Sequence, residues 1–128
     1  MICLTFPRTH RLTRRPEFVK CYDEGRRYFS KNFVLFVLEK EDPTALWRVG
    51  LAVTKKTGSA VQRNRVKRVL REFFRLNQRE LPNGIDFVVV PKRRMNPEHV
   101  DLSFVTQELL PIIHKLRERS AQDGEDEA

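Results

Sequence analysis

Acidic residues are scarce in the middle of this 128-residue chain: from position 44 to 94 only Glu72, Glu80 and Asp86 occur. A metal-dependent protein nuclease needs clustered carboxylates to hold its ions, so that class is disfavoured. Cysteine is nearly absent. Cys3 and Cys21 do not make a disulfide framework, and Cys21 reads as a small buried hydrophobe. The histidines, His10, His99 and His114, have no metal-ligand spacing with the cysteines or with one another. There is no nucleophile elbow, Walker loop or dinucleotide fingerprint. No apolar run approaches the roughly 20 residues that cross a bilayer. The first residues, MICLTFPRTHRLTRR, lack a basic leader before an apolar stretch. The expectation is a reduced, cytoplasmic protein with no membrane partner, and with neither catalytic residues nor a metal site of its own.

What abounds is positive charge, unevenly spread. Residues 1–94 carry 22 basic and 9 acidic side chains, a balance of +13, whereas residues 95–128 carry 3 basic and 8 acidic, a balance of −5. A compact domain with a pI near 10 points first to nucleic acid. The charge concentrates in KKTGSAVQRNRVKRVLREFFRLNQR, Lys55 to Arg79, with nine cations and one acid, Glu72. Ser59 and Gln62 fit a helix-opening capping box. Beyond them Val66, Val69, Leu70, Phe73, Phe74 and Leu76 fall on one arc of a helix. Lys67, Arg68, Arg71, Arg75 and Arg79 fall on the opposite arc, with Arg65 at its edge and Arg63 in the first turn. A solvated face usually mixes signs at i,i+4 spacing. This one does not, and its mutual repulsion is relieved only by a polyanion.

The rest of the chain supplies a frame. Thr13 can cap a helix over 14–24, ended by Gly25. Phe18 and Tyr22 share a face of it, either as anchors to the core or as rings lining a groove where unpaired bases stack. A short strand over 27–29 precedes a nearly continuous apolar strand over 32–39, predicted to be covered on both faces. A turn over 40–43 leads to a strand over 46–54, and the short connection predicts an antiparallel hairpin. Trp47 reads as core or rim. The loop 55–59 offers lysines and free amides at a helix start, a ready anion site. Leu81 to Gly84 ends that helix. The strand IDFVVVP, 85–91, should pair in parallel with 46–54 across the helix. Lys92, Arg93 and Arg94 form a second cationic loop. Asn96 and Pro97 open a last helix that Pro111 should kink or split. Residues 1–119 form one domain, and 120–128 are an acidic, disordered tail.

The run Arg48 to Phe74, RVGLAVTKKTGSAVQRNRVKRVLREFF, closely resembles the bacterial ribonuclease P protein component. Its centre is Arg63-Asn64-Arg65-Val66-Lys67-Arg68, preceded by Lys55-Lys56-x-Gly58-x-Ala60-Val61. Leu12, Phe18, Tyr22, Gly25 and Phe33 to Phe36 also match, so the likeness spans roughly residues 10–118. It implies an α/β, two-layer α+β sandwich: a central, mostly antiparallel sheet, three helices and a left-handed βαβ crossover. The general rule for such crossovers is right-handed. The activity implied is removal of the 5′ leader of precursor tRNA, as the protein subunit of an endoribonuclease whose RNA subunit carries catalysis. Mg²⁺ is expected mainly on that RNA. The partners implied are the ribonuclease P RNA subunit, at one to one, and precursor tRNA, with no DNA. Lys55, Lys56, Arg63, Asn64, Arg65, Lys67, Arg68 and Arg71 would bind the RNA subunit. Asn64 either bonds RNA or makes a local bond near the cap. Phe18, Tyr22 and Phe36 would line a leader cleft. Phe36 lacks the hydroxyl of the tyrosine frequent there, which removes a hydrogen bond but not stacking. A general RNA-binding protein and a stand-alone nuclease are the alternatives. Cleavage by pure protein, abolished by one carboxylate substitution, would mark the last.

Overall fold

Two strands with apolar residues on both faces, β2 (Phe33–Glu39) and β4 (Ile85–Pro91), form the centre of the sheet. The computed structural model describes residues 10–42, 44–93 and 95–126, and only the backbone of 118–126. Cys3, Pro43 and Arg94 lie outside the described residues. In chain order the elements are α1 (Arg15–Glu24), β1 (Arg26–Phe29), β2, β3 (Arg48–Leu51), α2 (Ala60–Leu76), β4 and α3 (Leu102–Asp126). The sheet order is β1-β2-β4-β3. β2 runs antiparallel to β1 and β4, and β3 runs parallel to β4. Arg11, outside the named strands, adds a parallel bridge to Val49 of β3, with the Leu12 amide donating to the Val49 carbonyl at 3.0 Å.

Strand alternation sorts the two faces. Phe33, Leu35, Val37, Val49, Phe87 and Val89 point to one side. There they meet Val66, Leu70, Phe73 and Phe74 of α2 and Val105, Leu109, Ile113 and Leu116 of α3. Full burial of each such side chain stabilises by about 1.5–3 kcal/mol. Trp47 is part of this core, and His10 stacks on it at 3.9 Å. The other face carries Phe36, Leu38, Val88 and Val90, and α1 covers part of it through Cys21 and Phe18. Burial, with Asp86 adding, pushes the Cys21 thiol up to about 11, so it is a neutral packing group.

Gly50 lets α1 lie this close. A Cβ there would stand 2.6 Å from the Phe18 ring and 3.0 Å from Leu12. Gly50→Ala is therefore expected to lose about 1–3 kcal/mol in urea unfolding, because neither neighbour can retreat without leaving the core.

Several boundaries differ from the sequence expectation. β2 and β3 do not form a hairpin. β4 lies between them, since the strand with apolar residues on both faces takes the centre and Arg48 of β3 pairs with its Asp86. Arg14, not Thr13, is the N-cap of α1, without a side-chain bond, and Pro16 removes one of the amides a cap would serve. α2 stops at Leu76, ahead of Leu81, because Asn77 caps it by donating from Nδ2 to the Phe73 carbonyl at 2.8 Å. Arg79 thus sits in a separate turn, and Leu76 is exposed. Asn96 caps only the turn Pro97–His99, and α3 opens at Leu102, where Asp101 accepts from the Phe104 amide. Pro111 lies inside an unsplit helix, on its exposed side, while Leu109, Ile112 and Ile113 hold the buried side. α3 runs on to Asp126, past Ser120, because each added residue extends an existing helix without new nucleation.

Candidate nucleic-acid interface

α2 opens as its sequence dictates. Ser59 Oγ accepts from the Gln62 amide at 3.2 Å, and Gln62 Oε1 accepts from the Ser59 amide at 2.9 Å. The amides of Ala60 and Val61 are left without a partner among the described residues. The 3-10 turn Lys55–Thr57 brings two exposed lysines to this end. Gly58 joins turn and helix at φ +153°, and a Cβ there would meet Gln62 Oε1 at 2.3 Å. Free amides and the positive end of the helix dipole lie next to a turn that carries two exposed lysines, the elements of an anion site.

Along the helix the residues expected to bind RNA separate by environment. Asn64, Arg65, Arg68 and Arg71 are exposed, while Arg63 and Lys67 are half-buried. Arg65 Nη2 reaches back to the Val100 carbonyl at 3.4 Å, and Arg63 Nε is buried without a partner among the described residues. Arg11, Asn64, Arg68, Arg71, Glu72 and Arg75 line a shallow groove of about 370 Å³. The helix's one acid is already taken: Glu72 accepts from Arg75, which holds its carboxyl below the usual range. Among the described residues no ion pair involves Lys55, Lys56, Arg63, Arg65, Lys67, Arg68 or Arg71. The other mid-chain acids are also held, Glu80 by Arg117 at 2.6 Å and Asp86 by Arg48 and Lys40, each at 2.9 Å. Each of the three mid-chain carboxylates therefore has a cationic partner.

A second groove, of about 310 Å³, starts at that turn and crosses the sheet face beside α1. Tyr22, Ala52, Thr54, Lys56, Thr57, Val90, Pro91, Lys92 and Arg93 line it. Tyr22 is 39% exposed and meets the half-buried Phe36 edge-on at 4.8 Å. Partial burial raises its phenol, which stays a protonated donor. Of the three aromatics expected together, Tyr22 lines this groove, Phe36 backs it edge-on, and Phe18 packs on Gly50 in the apolar cluster that also holds Phe36. Phe18 thereby anchors α1. Lys92 and Arg93 were visible as a cationic loop, but alternation along β4, which turns Val88 and Val90 away from Val89, is the signal that places them at this groove. Lys56, expected on the α2 surface, lines this groove and so joins the two.

Among the described residues no helix is long and apolar enough to cross a membrane. The family model described as Ribonuclease P matches residues 6–117. The ribonuclease P protein component of Oleidesulfovibrio alaskensis is 58% identical over 120 residues, covering 91% of this chain and 96% of that one. That of Desulfovibrio desulfuricans is 45% identical, covering 92% and 94%. The solved ribonuclease P protein of Thermotoga maritima superposes with a TM-score of 0.73 at 33% identity, covering 82% of this chain and 96% of that one. Matched over most of its length in sequence and in fold, the chain belongs to the ribonuclease P protein family, the protein component of an endoribonuclease that works with an RNA subunit.

Proposed function

We propose that the α2 face and the Lys55–Thr57 turn grip the ribonuclease P RNA, one protein per RNA, and that the sheet groove holds the 5′ leader of precursor tRNA in the cytoplasm. The observation that carries this is the junction of the two surfaces. A helix face on which Arg65, Lys67, Arg68 and Arg71 have no carboxylate partner among the described residues ends at a turn that is also one end of an aromatic and cationic groove. Phosphates fit the first surface: guanidinium groups fork onto them and ammonium groups add point charge. An unpaired strand fits the second, with bases on Tyr22 and Phe36 and phosphates on Lys56, Lys92 and Arg93. Stacking tolerates sequence, which suits leaders of differing sequence.

Mg²⁺ does not fit this protein surface. Among the described residues no three acidic, histidine or cysteine side chains come together, and the α2 face repels cations. The ion belongs on the RNA, and the protein's contribution is to neutralise phosphates there and to hold substrate. The test is cleavage of precursor tRNA by a bacterial ribonuclease P RNA at low Mg²⁺, with and without this protein. Cleavage at the mature 5′ end that requires the protein is the expected result. Intact RNA binding without rescue of cleavage would make the chain a general RNA-binding protein.

A further inference from the structure

We infer that Phe29 and Lys92 form an additional base-stacking subsite, which extends the strand path across the sheet to its β1 edge. This rests on the proposed leader groove and adds a subsite to it. Phe29 is 63% exposed, the most exposed of the described aromatic rings, in a strand that has a core-facing alternative next door in Tyr28. Register places it on the groove side. Phe29 pairs with Val34, and Val34 pairs with Val90, a groove-lining residue. The row Phe29, Val34, Val90 is thus an apolar strip across the sheet, half-buried at Val90 and Val34 and open at Phe29.

The subsite is held rigidly. Glu108 of α3 accepts from Ser30 Oγ at 2.8 Å and from the Asn32 amide and Nδ2, both at 2.7 Å, which fixes the turn after Phe29. The Lys92 amide donates to the Asn32 carbonyl at 2.8 Å, tying the cationic loop to the same turn. Lys92 Nζ then stands 5.5 Å from the centre of the Phe29 ring. A ring that stays mostly exposed beside an ammonium offers one face to a base and the ammonium to its phosphate. Arg27, two residues back on the same face, adds charge and has no ion pair among the described residues. Charge and continuity with the groove select single-stranded RNA as the occupant. The other groove end lies at the α2 turn, so Phe29 meets leader bases farthest from the RNA subunit.

The experiment measures dissociation constants of the assembled holoenzyme for precursor tRNAs with a ladder of leader lengths, using Phe29→Ala, Phe29→Leu, Phe29→Tyr and Tyr22→Ala. For Phe29→Ala and Phe29→Leu, the affinity ratio of long-leader over leaderless substrate is expected to fall about fivefold. Phe29→Tyr restores it. The Tyr22→Ala defect appears at shorter leaders than the Phe29→Ala defect. A leader-dependent Tyr22→Ala defect with no Phe29→Ala defect would overturn the subsite alone. No leader dependence in either variant would overturn the leader groove itself. A monomer–dimer shift in the free protein, without leader dependence, would make this edge a contact between copies.

Discussion

Replacing Arg65, Arg68 and Arg71 together with alanine is expected to weaken assembly with ribonuclease P RNA about a hundredfold at about 0.15 M salt. The log–log slope of affinity against salt should flatten by about two to three. The magnitude follows from counterion release: each phosphate contact removed leaves one condensed cation on the RNA, worth about fivefold at that ionic strength. These three are chosen because they are exposed and have no carboxylate partner among the described residues. Arg75, in contrast, is held by Glu72. Folding should not suffer. Arg65 gives up one long bond to the Val100 carbonyl, at 3.4 Å, and the helix gives up like-charge repulsion. Filter binding or calorimetry across a salt series, with a thermal melt beside it, separates the effects. An unchanged slope with unchanged melting would show that RNA does not lie on this face.

That face was legible in the sequence for a physical reason. Ser59 and Gln62 serve each other three residues apart, and Val66, Leu70, Phe73 and Phe74 follow a period any core-facing helix must follow. Both are local. Pairing of β3 with β4 was also within reach, because a helix between two strands returns the chain in the same direction. The false hairpin came from the opposite case. A short loop closes cheaply, yet closure entropy is small beside burying IDFVVVP on both faces, and that choice is made by residues 38 to 58 positions away. The groove was half legible. Phe18, Tyr22 and Phe36 could be named from the resemblance, but whether Phe18 and Tyr22 were core anchors or groove walls was open, and the packing of Phe18 on Gly50 depends on strand placement that no local pattern gives. Lys92 meets Phe29 only through strand register, and Glu108 meets the turn after Phe29 only through the packing of α3.

Asp86 was visible only as one of few acids, and its loss is expected to have the largest effect on stability. It is the only buried charged residue among those described, 3% exposed, on the groove face of β4. Arg48 donates to both its oxygens, from Nε at 3.1 Å and Nη2 at 2.9 Å, and Lys40 Nζ lies 2.9 Å away. Arg48 also reaches Glu17 of α1 at 3.3 Å, so this network ties β4, β3 and the residue after β2 to the helix that walls the groove. Asp86→Ala leaves two cations facing each other with their anion gone. Such orphaning costs about 3–5 kcal/mol in a sealed core. Here the Arg48 and Lys40 side chains keep 30% and 19% of their exposure, so water screens part of it and about 2–4 kcal/mol is expected. That would lower the melting temperature by roughly 10 °C. Arg48→Met alone removes one cation and should cost less, and adding it to Asp86→Ala should recover part of the loss, giving a negative coupling in the cycle. A loss below about 1 kcal/mol for Asp86→Ala, or additivity of the two changes, would mean that the network is solvated and that apolar contacts of Phe18 and Cys21 alone hold α1 to the sheet.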